Sequence, residues 1–148
     1  MEKDGMEKKE YYDEGELKFE GKYLNGERTG KGKEYNYYNG KLEFEGEYLN
    51  GERNGKGKEY NVTGTLIFEG EYLNRKRWNG KGYDKNNNIT YELKNGNGFV
   101  KEYNKYGELL FEGEYLNRKR WNGKGKEYYF SELRFEGEYW NVQRRPTK

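Results

Sequence analysis

One short pattern recurs along this chain, and its spacing constrains the fold more than any other feature. The triplet Phe-Glu-Gly begins at Phe19, Phe44, Phe68, Phe111 and Phe135, in steps of 25, 24, 43 and 24. The wide step holds a degenerate copy, Tyr-Glu-Leu-Lys-Asn-Gly-Asn-Gly, from Tyr91. Gly-Lys-Gly recurs at Gly30, Gly55, Gly80 and Gly123, with Gly-Asn-Gly at Gly96. A Lys-Glu-Tyr theme separates the copies, at 33–35, 58–60, 101–103 and 126–128. Self-similarity at such a period marks a repeat architecture, in which each unit buries surface against its neighbours. The repeats divide the chain into a half-unit at 8–18, units at about 19–43, 44–67 and 68–90, a degenerate unit at 91–110, a unit at 111–134 and a partial unit at 135–148. Half-units at both ends are compatible with a piece of a longer array.

Each unit reads as a β-hairpin. Leu17, Phe19, Gly21 and Tyr23 share one parity, as do Leu42, Phe44, Gly46 and Tyr48, with Glu or Lys between them. Such period-two alternation indicates strands, and the Asn and Gly residues at both ends of each run indicate turns. The expectation is an all-β fold: a single-layer antiparallel meander of about twelve short strands. At about 4.8 Å per strand it would be elongated, on the order of 55 Å long. Acidic strands alternate with basic ones, Glu45 and Glu47 against Lys56 and Lys58, or Glu112 and Glu114 against Lys124 and Lys126. Cross-strand pairing of these charges explains how 38% charged residues leave a net charge of only +2. Gly30 and Gly32 share a strand face, bare backbone on which a neighbouring ring could lie. The alternative, a phosphate cradle, wants a helix after the glycines, and the pattern offers none.

Composition removes several functions. The chain has no Cys and no His, which excludes Cys or His zinc sites and Ser-His or Cys-His nucleophile pairs. No stretch approaches the length of a membrane-spanning helix. Aliphatic side chains are scarce, but 18% of residues are aromatic, 17 of them Tyr, which argues against disorder and for a thin, ring-rich core.

The sequence resembles the MORN-repeat family. The spacing Phe19-Gly21-Gly26-Gly30-Gly32, repeated as Phe44-Gly46-Gly51-Gly55-Gly57, matches the aromatic-x-Gly-x4-Gly-x3-Gly-x-Gly signature of that family, and the likeness runs along nearly the whole chain. The resemblance implies tandem hairpins without catalytic machinery, used for membrane attachment, protein binding, self-association or cytoskeletal scaffolding. Two copies depart from the signature: Arg75 and Arg118 replace the middle Gly, and the loop there gains one residue. The unit around Tyr91 keeps little of it.

These observations predict a non-enzymatic scaffold with no cofactor and no metal. A single layer would leave its ring face uncovered and expose an apolar stripe, a docking surface for a protein partner or a second copy as a homodimer. Its lining is Phe19, Tyr23, Phe44, Tyr48, Phe68, Tyr72, Phe111, Tyr115, Phe135 and Tyr139. Unpaired edge strands offer a second route to association. The alternative is attachment to anionic phospholipid, phosphoinositide or phosphatidic acid, through two basic tips, Arg75-Lys76-Arg77-Trp78 and Arg118-Lys119-Arg120-Trp121. These tips belong to a fifteen-residue stretch that occurs identically at 68–82 and 111–125; the equivalent tips Glu27-Arg28 and Glu52-Arg53 are neutral. Nucleic acid is not expected, because Glu interleaves every basic stretch. The expected location is cytoplasmic, peripheral to membrane or cytoskeleton.

Overall fold

The computed structural model describes residues 5–103, 109–116, 119–129, 132–140 and 143–146; at 119–122, 128–129, 139–140 and 143–146 it describes the backbone only. Every regular element among them is a strand: β1 (Met6–Tyr11), β2 (Leu17–Leu24), β3 (Glu27–Tyr35), β4 (Leu42–Leu49), β5 (Glu52–Tyr60), β6 (Leu66–Leu73) and β7 (Lys76–Tyr83) come first. β8 (Ile89–Leu93), β9 (Gly98–Tyr103), β10 (Leu109–Leu116), β11 (Lys119–Tyr129), β12 (Glu132–Trp140) and β13 (Gln143–Pro146) follow. They form two antiparallel meanders in chain order, β1 to β8 and β9 to β13. The chain comprises two compact units, Met1–Lys76 and Arg77–Lys148.

Among the described residues thirteen strands stand where about twelve were expected, and the meander changes sheet inside the degenerate copy. There the link between β8 and β9 is a single isolated bridge, Lys94 to Asn97. Glycine is scarce on those strands. Tyr91 opposes Gly82 and Val100 opposes Gly113, so side chains fill positions where the regular copies pair two glycines, while Leu93 faces Gly80 where those copies have Tyr.

The first unit shows the repeat in its regular form. Gly21 pairs with Gly32, Gly32 with Gly46, Gly46 with Gly57 and Gly57 with Gly70, a glycine row across five strands. β1, at the edge of the sheet, breaks the row with Lys8 opposite Gly21. Its sequence Met-Glu-Lys-Lys-Glu-Tyr is of the charged, Lys-bearing kind that discourages edge-to-edge pairing.

At one edge the hairpin turns are two-residue turns with positive φ at both positions. Asn25-Gly26 and Asn50-Gly51 hold this geometry, and so does Asn74-Arg75, at 50° and 73°. Asn-Gly is the favoured pair because such a turn matches the twist of its strands. The tip expected to be a residue longer is therefore the same turn, with Arg forced into the conformation of glycine. The extra residue is absorbed by the strand after it. In the first copy Gly21 opposes the second glycine, Gly32; in the copy at 111–125 Gly113 opposes the first, Gly123.

Candidate functional site: a charge-banded groove

The two faces of the first unit do different work. On one face, Phe19 and Phe44 each lie on the glycines of their own and the next strand. A methyl group added at Gly32 would come within 2.6 Å of Phe19 Cε2, and one at Gly57 within 2.6 Å of Phe44 Cζ. Tyr48 meets Phe19 and Phe44 edge-on at 5.2 and 5.8 Å, and Tyr72 meets Phe44 and Phe68 at 5.1 and 5.8 Å. Two arginines roof this row. The Arg28 guanidinium lies 4.1 Å from the Phe19 ring centre and that of Arg53 4.0 Å from Phe44.

The roof is tied down by the Glu of the Lys-Glu-Tyr theme. Glu34 accepts hydrogen bonds from Arg53 Nε at 2.8 Å and from the Tyr48 hydroxyl, and Arg28 Nε reaches Glu10 at 2.8 Å. Burial pushes the Glu34 carboxyl up, but the hydrogen bonds and charge of Arg53, with the Tyr48 hydroxyl, outweigh it and hold it below the usual range. Burial and the bond to Glu34 push the Tyr48 hydroxyl up in turn.

This arrangement overturns the expected exposed apolar stripe. Phe19, Phe44, Phe68 and Phe111 are fully buried, and Tyr48 and Tyr72 are nearly so. Tyr23, Tyr115 and Phe135 are half-buried, and the Tyr139 side chain lies outside the described residues. The physical reason is that glycine seats and an Arg-Glu roof cover the rings from within the same sheet. Sequence reasoning missed Arg28 and Arg53 because they follow a turn and pass for tip charges. It also missed Glu34, one of many Glu. The signal was their fixed offset, Arg two residues after the turn Gly in both copies.

The opposite face is concave. It encloses about 1210 Å³, open to solvent and lined from β1 to β6. The glycine row forms the floor, and the residues on either side of each glycine form the walls. In β3 these are Lys31 and Lys33, in β4 Glu45 and Glu47, in β5 Lys56 and Lys58, in β6 Glu69 and Glu71. Registry places them directly opposite one another: Lys33 with Glu45, Glu45 with Lys58, Lys58 with Glu69, and Lys56 with Glu71. The groove thus carries bands of charge, basic then acidic, repeating every two strands or about 9.6 Å. Lys58 Nζ and Glu69 lie 3.9 Å apart with each side chain nearly half exposed, so the bands stay available to a ligand. On this side, burial together with hydrogen bonds to Glu20 and Glu45 pushes the Tyr35 and Tyr60 hydroxyls up to about 12.

The first basic tip is largely engaged. Arg75 faces Glu52 at 3.6 Å, Arg77 donates to the Tyr91 hydroxyl at 2.6 Å, and Trp78 is half-buried. Lys76 is exposed. Arg118 and the side chains of Lys119, Arg120 and Trp121 lie outside the described residues. Among the described residues no three acidic side chains are placed to hold a metal ion, and no helix is long and apolar enough to cross a membrane. No model of a known protein family and no curated protein matches the chain.

Proposed function

We propose that this chain is a single-layered MORN-type hairpin array that acts as a non-enzymatic scaffold, holding a polypeptide segment in the groove of its first unit. The observation that carries this reading is the banded charge. A groove walled by Lys31 and Lys33, Glu45 and Glu47, Lys56 and Lys58 favours a ligand whose charge alternates with the same step. An α-helix bearing opposite charges at successive i, i+3 or i, i+4 positions steps about 4.5–6 Å, close to the about 4.8 Å strand spacing. A nucleic acid backbone, uniformly negative, meets two acidic bands. A second copy of this face is itself concave and leaves the floor unfilled.

The test is a titration of the full chain with a helical peptide carrying Glu and Lys alternately on one face, followed by NMR. Shifts at the amides of Gly21, Gly32, Gly46, Gly57 and Gly70 are expected. Changing Lys31, Lys33, Lys56 and Lys58 to Glu is expected to remove them. A peptide with its charges segregated into two blocks should bind more weakly; equal binding of both peptides, or binding indifferent to the Lys changes, refutes the reading. Attachment to anionic lipid is the second proposal. Its support is the exposure of Lys76 and of Arg75, 73% for the latter side chain, and phosphoinositide liposome sedimentation tests it.

A further inference from the structure

A second surface of the first unit stands apart from the groove. Hairpin loops at the edge opposite the Asn-Gly turns have polar tips in later copies, Asn61-Val62-Thr63-Gly64 and Asp84-Lys85-Asn86-Asn87-Asn88. The first two loops instead gather tyrosines. Tyr12 meets Tyr37 edge-on at 5.0 Å, 85° between planes, and Tyr37 meets Tyr38 at 5.1 Å and 86°. Tyr12 has a structural duty, since its hydroxyl donates to the Tyr35 carbonyl at 2.8 Å. The others are more open: Tyr38 is 85% exposed, and Tyr37 is exposed too. The loop between β1 and β2 adds Asp13, Glu14 and Glu16 to this cluster, and the Glu14 carboxylate beside the Tyr37 hydroxyl pushes that hydroxyl up. One cation already sits on the rings from within the chain, Lys18 Nζ at 5.6 Å from the centre of Tyr12.

We infer that the Tyr12–Tyr37–Tyr38 cluster with its acidic loop is a docking surface for a basic polypeptide segment, whose Arg side chains stack on the Tyr37 and Tyr38 rings while pairing with Glu14 and Glu16. Ring faces attract cations through their quadrupole, and Arg adds planar stacking to that attraction. The neighbouring carboxylates decide between partners. A proline-rich ligand would use the rings alike but gain nothing from Glu14 and Glu16, whereas a cationic segment gains from both.

The probe is a capped hexa-arginine peptide titrated into the full chain at low and at physiological salt, read residue by residue by NMR. Shifts are expected at 12–16 and at 37–38, weakening as salt rises. Tyr38→Ala, at an exposed position whose loss leaves the sheet intact, should weaken binding about 2–5-fold, the range for an exposed cation–π contact. Glu14→Gln with Glu16→Gln should weaken it further and flatten the salt dependence. Shifts confined to the groove glycines, no shifts at all, or affinity unchanged by Tyr38→Ala would overturn the proposal. So would tighter binding of an uncharged proline-rich peptide, which would reassign the cluster to that ligand. The groove reading stands or falls separately, because its residues are different.

Discussion

Glu34 concentrates the energetics of the ring face in one side chain. It is mostly buried, and Arg53, Tyr48 and, at 4.0 Å, Arg28 converge on it. Its folded-state affinity for a proton is lowered, so its contribution is complete above its unfolded value and is lost as pH falls through its folded one. Stability should therefore fall below about pH 4.5, and Glu34→Gln should flatten that acid limb in urea titrations at several pH values. Arg53→Ala leaves the carboxylate with its burial and without its main partner. A loss of about 2–3 kcal/mol is expected, less than for a fully buried pair, measurable as a lower urea midpoint. None of this was legible residue by residue, since the pattern of Glu and Arg looks the same whether a side chain meets solvent or a ring.

At the scale of the element, the hairpin was readable because it obeys two local rules at once, alternation along the strand and Asn-Gly at the turn. The exception is informative. Arg75 occupies a φ of 73° where Gly26 and Gly51 have 81° and 83°. Left-handed backbone costs a residue with a side chain about 1–2 kcal/mol, and the exposed pair with Glu52 returns less than about 1. Arg75→Gly is thus expected to stabilise the chain by about 0.5–1 kcal/mol, seen as a higher Tm. A fall in Tm would mean that the contact with Glu52 outweighs the strain. The longer third copy looked in sequence like a longer tip. Turns resist insertion more than strand register does: in the copy at 111–125, which has the same extra residue, Gly113 meets the first glycine, Gly123, in place of the second. Distinguishing those two outcomes needs the pairing, which the order of letters does not contain.

For the whole molecule, the repeat decides how damage spreads. In the first unit Phe19 and Phe44 each rest on a glycine of the next strand, so support there passes from neighbour to neighbour. Gly32→Ala drives a methyl into the Phe19 ring, and overpacking of that kind costs about 1–3 kcal/mol. Hydrogen exchange should accelerate most in β2, β3 and β4 and remain unchanged in β10 to β12. Uniform acceleration across all strands would show instead that the molecule unfolds as one cooperative block. The overall class was legible from the repeat spacing alone. The sheet change at β8 and β9 was foreshadowed only as a lapse in the pattern, because the effect of placing Tyr91 and Val100 where other copies pair glycines depends on the strands that face them.

The glycine seat has one more consequence, for how such a chain can be cut and rejoined. A ring whose seat belongs to the following strand does not distinguish one following strand from another with the same glycine. Removing residues 20–44 joins Phe19 to Glu45, so Phe19 takes the seat on Gly57 that Phe44 now holds, and Arg53 becomes its roof. Glu10 inherits the part of Glu34. The array is thus a chain of interchangeable couplings, in which a segment can be taken out and the seam closes on itself.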